Sequence, residues 1–285
     1  MISQLPPIEL TRVVAHALDE DLGRGDVTTD ACVPPAVVGT CAFRARTELV
    51  VAGGAVITEV FKQIDPGVSV RDLVLDGTHL APGGVLASVV GPAASILKGE
   101  RVALNFLQRL CGIATLTRRF VDALPGGSRT RIADTRKTTP GLRALERRAV
   151  RAGGGHNHRE DLSAAVLIKD NHVAAAGGIT TAIERCKEHA PHTSRIECEV
   201  DSLAQLEEAL TAAADIVQLD NFDDPMEAHA VALNESRGRR ALLEASGGIT
   251  LERVTKLAEL GVDVISVGAL THSAPSVDIG LDWEA

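Results

Sequence analysis

The residues able to do chemistry crowd into one stretch, 131–172, RIADTRKTTPGLRALERRAVRAGGGHNHREDLSAAVLIKDNH. From Arg136 to Arg159 it sets Arg136, Lys137, Arg143, Arg147, Arg148, Arg151 and Arg159 against one acid, Glu146, in a chain whose formal net charge is -9. Arg143, Arg147 and Arg151 share one face of a segment read as a helix, 141–151. Like charges at that spacing repel, so this face is expected to meet anions, either ligand or protein. Arg136, Lys137, His158, Arg159 and Lys169 fall instead at strand ends or by the Gly153-Gly154-Gly155 loop, where sites are usually built. Together they suit a small molecule bearing several negative charges; the plain alternative is a solvated basic surface.

Two acids face this cluster. Glu199 and Asp220 end successive strand patterns, so both carboxylates are expected in one mouth, where they suit a divalent metal such as Mg²⁺ or sugar hydroxyls. The plainer reading leaves one of them neutralising Lys169 or Arg136. Glu197 shares a strand face with Glu199, so the pattern alone does not choose between them. Ser246-Gly247-Gly248 ends a strand and leads into a helix near Thr250, and glycine backbone at a helix N-terminus favours an anion. Beside Val267-Gly268-Ala269 at the next strand end, it is similar to the phosphate cradle of phosphate-binding barrels. His156 and His158 stand two apart with no third ligand near in the chain, which weighs against zinc.

The elements that must position these groups alternate. Strands are predicted at Thr130–Asp134, Val166–Lys169, Ile196–Val200, Ile216–Asp220, Ala241–Ala245 and Val264–Gly268, with helices between them at about 141–151, 179–190, 202–213, 225–236 and 250–260. Such alternation implies a parallel sheet. Polar residues at nearly every strand's carboxyl end favour a barrel over an open doubly wound sheet, and six strands make it incomplete. The fold class is therefore α/β, an incomplete α/β barrel with parallel strands plus an N-terminal α+β sandwich domain. Domain bounds are drawn at 1–112 and 113–272, with the tail 273–285 packing back on the first. In that first part a helix follows Pro7, four short strands lie between Val37 and Val90, a helical segment runs over Ala55–Gln63, and a long helix covers about 93–111. Arg101 sits in the apolar stripe of that helix, so its head either snorkels or reaches an anion on a facing surface.

Composition narrows the class. The chain has 285 residues, 45% of them hydrophobic but only 2% aromatic, with no Tyr and one Trp. Base-stacking platforms need aromatic side chains, so no nucleic-acid partner is expected, and no apolar run has membrane-span length. Five cysteines, Cys32, Cys41, Cys111, Cys186 and Cys198, form no CxxC pair and are odd in number. They read as reduced and mostly buried, hence cytoplasmic. GxGxxG after a first strand and GxxxxGK[ST] are both lacking, so dinucleotide and nucleoside-triphosphate folds are not indicated.

In order and spacing, EDLGRGDVTTD, ERVALNFLQRLCGIAT, DTRKTTPGLR, GGGHNHR, LIKDNH, IECEVDSL, LDNF, EASGGIT and VGALTHS resemble the quinolinate phosphoribosyltransferase family over nearly the whole chain. The resemblance implies 5-phosphoribosyl 1-pyrophosphate and quinolinate as substrates, Mg²⁺ as cofactor, and a homodimer in which Arg101 enters the neighbour's site. It implies Lys137, Lys169, Glu199 and Asp220 as catalytic residues, the two acids also as metal ligands. Thr135, Arg136, His158 and Arg159 would bind substrate with them, as would Ser246, Gly247, Gly248, Val267, Gly268 and Ala269. Where relatives are expected to carry Lys-Tyr, this chain has Arg147-Arg148. The alternatives are a related phosphoribosyltransferase with another acceptor, a Schiff-base aldolase using Lys169, and a non-enzymatic anion-binding module.

Overall fold

The structure is a computed structural model that describes residues 7–284. In chain order it begins with helices α1 (Pro7–Leu22) and α2 (Val27–Cys32), strands β1 (Val38–Ala45) and β2 (Leu49–Val50), and helix α3 (Gly54–Ile64). Strands β3 (Ser69–Arg71), β4 (His79–Leu80) and β5 (Val85–Pro92) then lead into the long helix α4 (Ala93–Asp122). Next come β6 (Arg131–Ala133), α5 (Arg143–Ala152), β7 (Val166–Ile168), α6 (Asp170–Ala176), α7 (Ile179–His189), β8 (Ile196–Val200), α8 (Leu203–Thr211) and β9 (Ile216–Asp220). The chain closes with α9 (Asp224–Ser236), β10 (Leu242–Ser246), α10 (Leu251–Leu260), β11 (Val264–Ser266), α11 (Ala269–His272) and β12 (Ile279–Glu284). These elements form two compact units. One holds the chain up to 118 with 138–154 and 269 onward, the other 119–137 and 155–268.

The first unit is built on an antiparallel sheet ordered β12-β1-β5-β3. Along β1, Cys41 stands between Trp283 of β12 and Val89 of β5. The sheet's buried face meets α3, where Phe43 and Phe61 approach to 6.3 Å between ring centroids. With so few aromatics, aliphatic side chains supply most of that core. At the other end of the unit, Glu146 of α5 is fully buried and paired with Arg109 of α4 at 2.9 Å. The same carboxylate accepts Thr139 N–H at 3.0 Å and Thr139 Oγ1 at 2.7 Å. A buried charge requires such a full set of partners. Of the basic residues of α5, Arg143 bonds Thr138 Oγ1 through Nε at 3.0 Å, and Arg148, off the face that Arg143 shares with Arg147 and Arg151, stands 3.8 Å from Asp76.

The second unit carries a six-stranded, wholly parallel sheet, β6-β11-β10-β9-β8-β7. It is an incomplete α/β barrel: β6 and β7 are the two edges, and beyond β6 the bridge Ala133↔His156 continues the pairing. Its amino ends are stitched by a repeated device. Asp215, before β9, accepts Ile196 N–H of β8 at 2.7 Å, and Asp263, before β11, accepts Leu243 N–H of β10 at 2.9 Å. All six strands fall where the alternation predicts them.

Several elements depart from the sequence reading, among them α2, β4 and α11, which it did not predict. α4 continues to Asp122 rather than stopping near 111, because Ile113, Ala114, Thr117 and Phe120 keep burying one helical face beyond Gly112. β12 lay in a segment read only as a tail. α6 follows β7 directly, nucleated by its own cap: His172 Nδ1 accepts Lys169 N–H at 2.9 Å. All five cysteines are free thiols. Burial pushes Cys111 and Cys198 up to about 12 and Cys41 up to about 11. Among the described residues no helix is long and apolar enough to cross a membrane.

Candidate active site

Nine of the residues singled out in the sequence line one hollow of about 280 Å³ in the second unit: Thr135, Arg136, Lys137, His158, Arg159, Lys169, Glu199, Asp220 and Ser246. They arrive from the carboxyl ends of β6, β7, β8, β9 and β10 and from the loop after Gly155. A parallel sheet brings successive strand ends to one side, so residues more than a hundred positions apart become neighbours. Leu167 and Gln218 also line the hollow; neither was singled out, since one reads as core and the other as ordinary strand polarity.

The cations are held in place by their own backbone. His158 N–H donates to Asp134 Oδ1 at 2.7 Å, and Asp134 also accepts the Asn157 amide. Asp134 is fully buried, and its position next to the basic run gave no sign of this role. Arg159 N–H donates to His158 Nδ1 at 2.8 Å, which leaves His158 Nε2 facing Glu197 at 3.2 Å and Glu244 at 3.6 Å. Gln218 Nε2 donates to Glu244 Oε1 at 2.6 Å. These four side chains form a polar layer at the floor of the hollow, His158 and Gln218 lining it and Glu197 and Glu244 behind them. The register sets Gln218 of β9 opposite Glu244 of β10.

The electrostatics follow from burial. For His158, burial opposes the charged form, but the Glu197 hydrogen bond and the charges of Glu244, Glu197 and Asp134 outweigh it and raise its pKa. Burial, then the charge of Glu197, push Glu244 up to about 7, with His158 and Gln218 opposing. Arg159 is lowered, first by burial and then by the adjacent Arg136; its Nη1 donates to Ala165 O at 3.1 Å, while its buried Nε has no hydrogen-bond partner among the described residues. Among the described residues His158, Glu197 and Glu244 place ligand atoms within 4.8 Å of one another, but their hydrogen bonds already use those atoms. Glu197 thus lies in the polar layer, whereas Glu199, two residues on, reaches the hollow and touches Lys169 Nζ.

Not every expected residue joins them. Gly247 and Gly248 line an adjacent shallow hollow with Asn221, Phe222 and Arg253. Val267 is buried, its N–H donating to Ala133 O at 2.9 Å. It does not line the hollow, nor do Gly268 and Ala269. Arg101 lies on α4 in the first unit and is exposed rather than buried in an apolar stripe, with no ion-pair partner among the described residues. His172 fixes the backbone of Lys169 through its Nδ1, which accepts the Lys169 N–H.

Cations, carboxylates and a glycine turn at the carboxyl ends of one parallel sheet define a barrel enzyme for phosphorylated, anionic small molecules. Known proteins narrow this. Residues 26–111 match the N-terminal domain of quinolinate phosphoribosyl transferase and residues 113–282 its C-terminal domain. A probable nicotinate-nucleotide pyrophosphorylase [carboxylating] of Bacillus subtilis is 43% identical over 277 residues, 96% of this chain and 93% of its own. The Mycobacterium leprae nicotinate-nucleotide pyrophosphorylase [carboxylating] is 44% identical over 272 residues, 94% of this chain and 95% of its own. The solved nicotinate-nucleotide pyrophosphorylase of Francisella tularensis superposes with a TM-score of 0.93 at 37% identity, covering 100% of this chain and 99% of its own. The chain belongs to the quinolinate phosphoribosyltransferase family.

Proposed function

We propose that the protein transfers the phosphoribosyl group of 5-phosphoribosyl 1-pyrophosphate to quinolinate with loss of carbon dioxide, giving nicotinate mononucleotide and pyrophosphate in NAD biosynthesis. One observation carries the reading: five fixed cations and two carboxylates converge with Ser246 on one hollow, in a chain that matches this family along its length.

The chemistry follows from what those groups can stabilise. As pyrophosphate leaves, positive charge develops at the ribose C1, and the fixed carboxylates Glu199 and Asp220 offset it where it forms. The pyridine nitrogen then bonds to C1 and becomes cationic. Its positive charge stabilises the electron pair left on the adjacent ring carbon when the carboxylate there departs as carbon dioxide, and that carbon then takes a proton. Arg136, Arg159 and Lys169 suit the dicarboxylate, since guanidinium forks match carboxylates at two points. The Nε of Arg159 is a donor lacking an acceptor among the described residues. Lys137 suits the pyrophosphate. Glu199 and Asp220 are hard oxygen donors at adjoining strand ends and fit Mg²⁺, which favours carboxylates together with substrate phosphates; bound there, it would offset the charge of the departing pyrophosphate. Exposed Arg101 is a cation suited to entering the site of a second copy, in a cytoplasmic homodimer.

The test is a turnover assay with quinolinate and nicotinate offered in parallel and the nucleotide read by mass. Quinolinate is expected to give nicotinate mononucleotide and carbon dioxide in equal amounts. Turnover of nicotinate alone would replace this reading with that of a related phosphoribosyltransferase.

A further inference from the structure

The loops following β9 and β10 meet at Asn221. Its backbone lies in the left-handed region, φ 57°, which asparagine tolerates better than most residues with a Cβ. In that conformation its N–H donates to Ser246 O at 2.9 Å, carrying on past the strand ends a register in which Asp220 stands opposite Ser246. The side-chain Nδ2 donates to Asp220 Oδ2 at 2.8 Å. Its Oδ1 lies against Gly247 so closely that a Cβ there would overlap it and come within 2.8 Å of the Asn221 nitrogen. The same loop is pinned farther along: Arg253 of α10 donates from Nε to Asp224 Oδ1 at 2.9 Å and from Nη2 to Phe222 O at 2.6 Å.

We infer that Asn221 is a positioning residue that sets the distance between the Asp220 carboxylate and the Ser246-Gly247-Gly248 turn, so that both ends of a phosphorylated pentose are met at once. This rests on, and deepens, the function proposed above. A ligand that bridges two prearranged contacts avoids the cost of ordering them. With the Asn221 amide gone, carboxylate and glycine turn would each be free to drift, and binding would have to bring them back together.

Three proteins test it: wild type, Asn221→Gly and Asn221→Asp. Glycine accepts the left-handed backbone and removes only the amide. Aspartate keeps the size but sets a second carboxylate beside Asp220 in place of a donor. Both are expected to melt close to wild type. By calorimetry in the presence of Mg²⁺, 5-phosphoribosyl 1-pyrophosphate and ribose 5-phosphate are each expected to bind about tenfold more weakly to Asn221→Gly, and more weakly still to Asn221→Asp, because like charges repel. The KM for 5-phosphoribosyl 1-pyrophosphate is expected to rise in step, with that for quinolinate within about twofold of wild type. Unchanged phosphoribosyl binding in Asn221→Gly, or equal losses for both substrates, would overturn the inference alone. Wild type that binds neither phosphorylated sugar would overturn the proposed function and this inference with it.

Discussion

The Nζ of Lys169, at the end of β7, rests on Oε2 of Glu199, at the end of β8. A cation suited to one substrate therefore touches a carboxylate suited to the other. In the proposed function, a ligand anion that draws Lys169 toward itself would release Glu199, and a cation held by Glu199 would release Lys169.

Replacing Lys169 with alanine is expected to lower turnover by roughly 10²–10³-fold, the usual loss on removing one fixed charge-stabilising group. Folding is expected to be nearly unaffected. The Lys169 side chain is 44% exposed, and exposed ion pairs are worth only about 0–1 kcal/mol. Steady-state rates together with a melting curve decide the matter: near-wild-type turnover in a folded Lys169→Ala protein would remove this lysine from the mechanism.

Gly247 has no room for a side chain. Its φ is 87°, and an added Cβ would collide with Asn221. Gly247→Val is therefore expected to weaken 5-phosphoribosyl 1-pyrophosphate more than quinolinate, through both a blocked approach to backbone N–H groups and a displaced Asn221. Calorimetric titration of each substrate reads the difference, and equal losses would mean that this turn is not the phosphate cradle.

How much of this was legible beforehand depended on the kind of signal. The six parallel strands were, because each is a short apolar run between a helix end and a polar terminus, a pattern local in the chain. The mouth residues were too, since they sit at the polar termini. Glu197 and Glu199 were not separable: alternation gives them one strand face, and only depth, set by the neighbouring strands, sends one into the polar layer and the other into the hollow. Asp134 and Glu244 looked like ordinary charges, since the partners that let them be buried, His158 and Gln218, come from other parts of the chain. Asn221 is harder still to see: its function depends on a positive φ and on the loop after the next strand.

Away from the site, Glu227 of α9 offers a test by pH. It is buried, its Oε2 lacks a hydrogen-bond partner among the described residues, and burial, opposed by Arg253 and aided by Asp224, pushes it up to about 7. An unfolded glutamate titrates near 4.5, so between these values the folded chain holds a proton that the unfolded chain has released. The stability that this proton contributes is complete below about 4.5 and is lost as pH rises through 7. Glu227→Met removes the group and its titration. It is expected to gain stability relative to wild type on going from pH 5 to pH 8, by at most about 3 kcal/mol. Urea midpoints for both proteins at the two pH values give the comparison, and a difference independent of pH would show that Glu227 stays ionised.

Arg101 is exposed on α4 and lacks an ion-pair partner among the described residues, whereas Lys137 lines the hollow. If Arg101 serves a second copy's site, Arg101→Ala and Lys137→Ala homodimers are each nearly inactive, because every site lacks one cation. Mixing the two and letting subunits exchange changes this. A heterodimer has one site lacking both cations and one site complete, since the intact Lys137 of one chain then meets the intact Arg101 of the other. Random pairing of equal amounts makes about half the dimers mixed, each with one working site of two, so activity is expected to recover toward about a quarter of wild type. Mass spectrometry of the native dimers verifies exchange. Exchange without recovered activity would show that Arg101 serves its own chain or none.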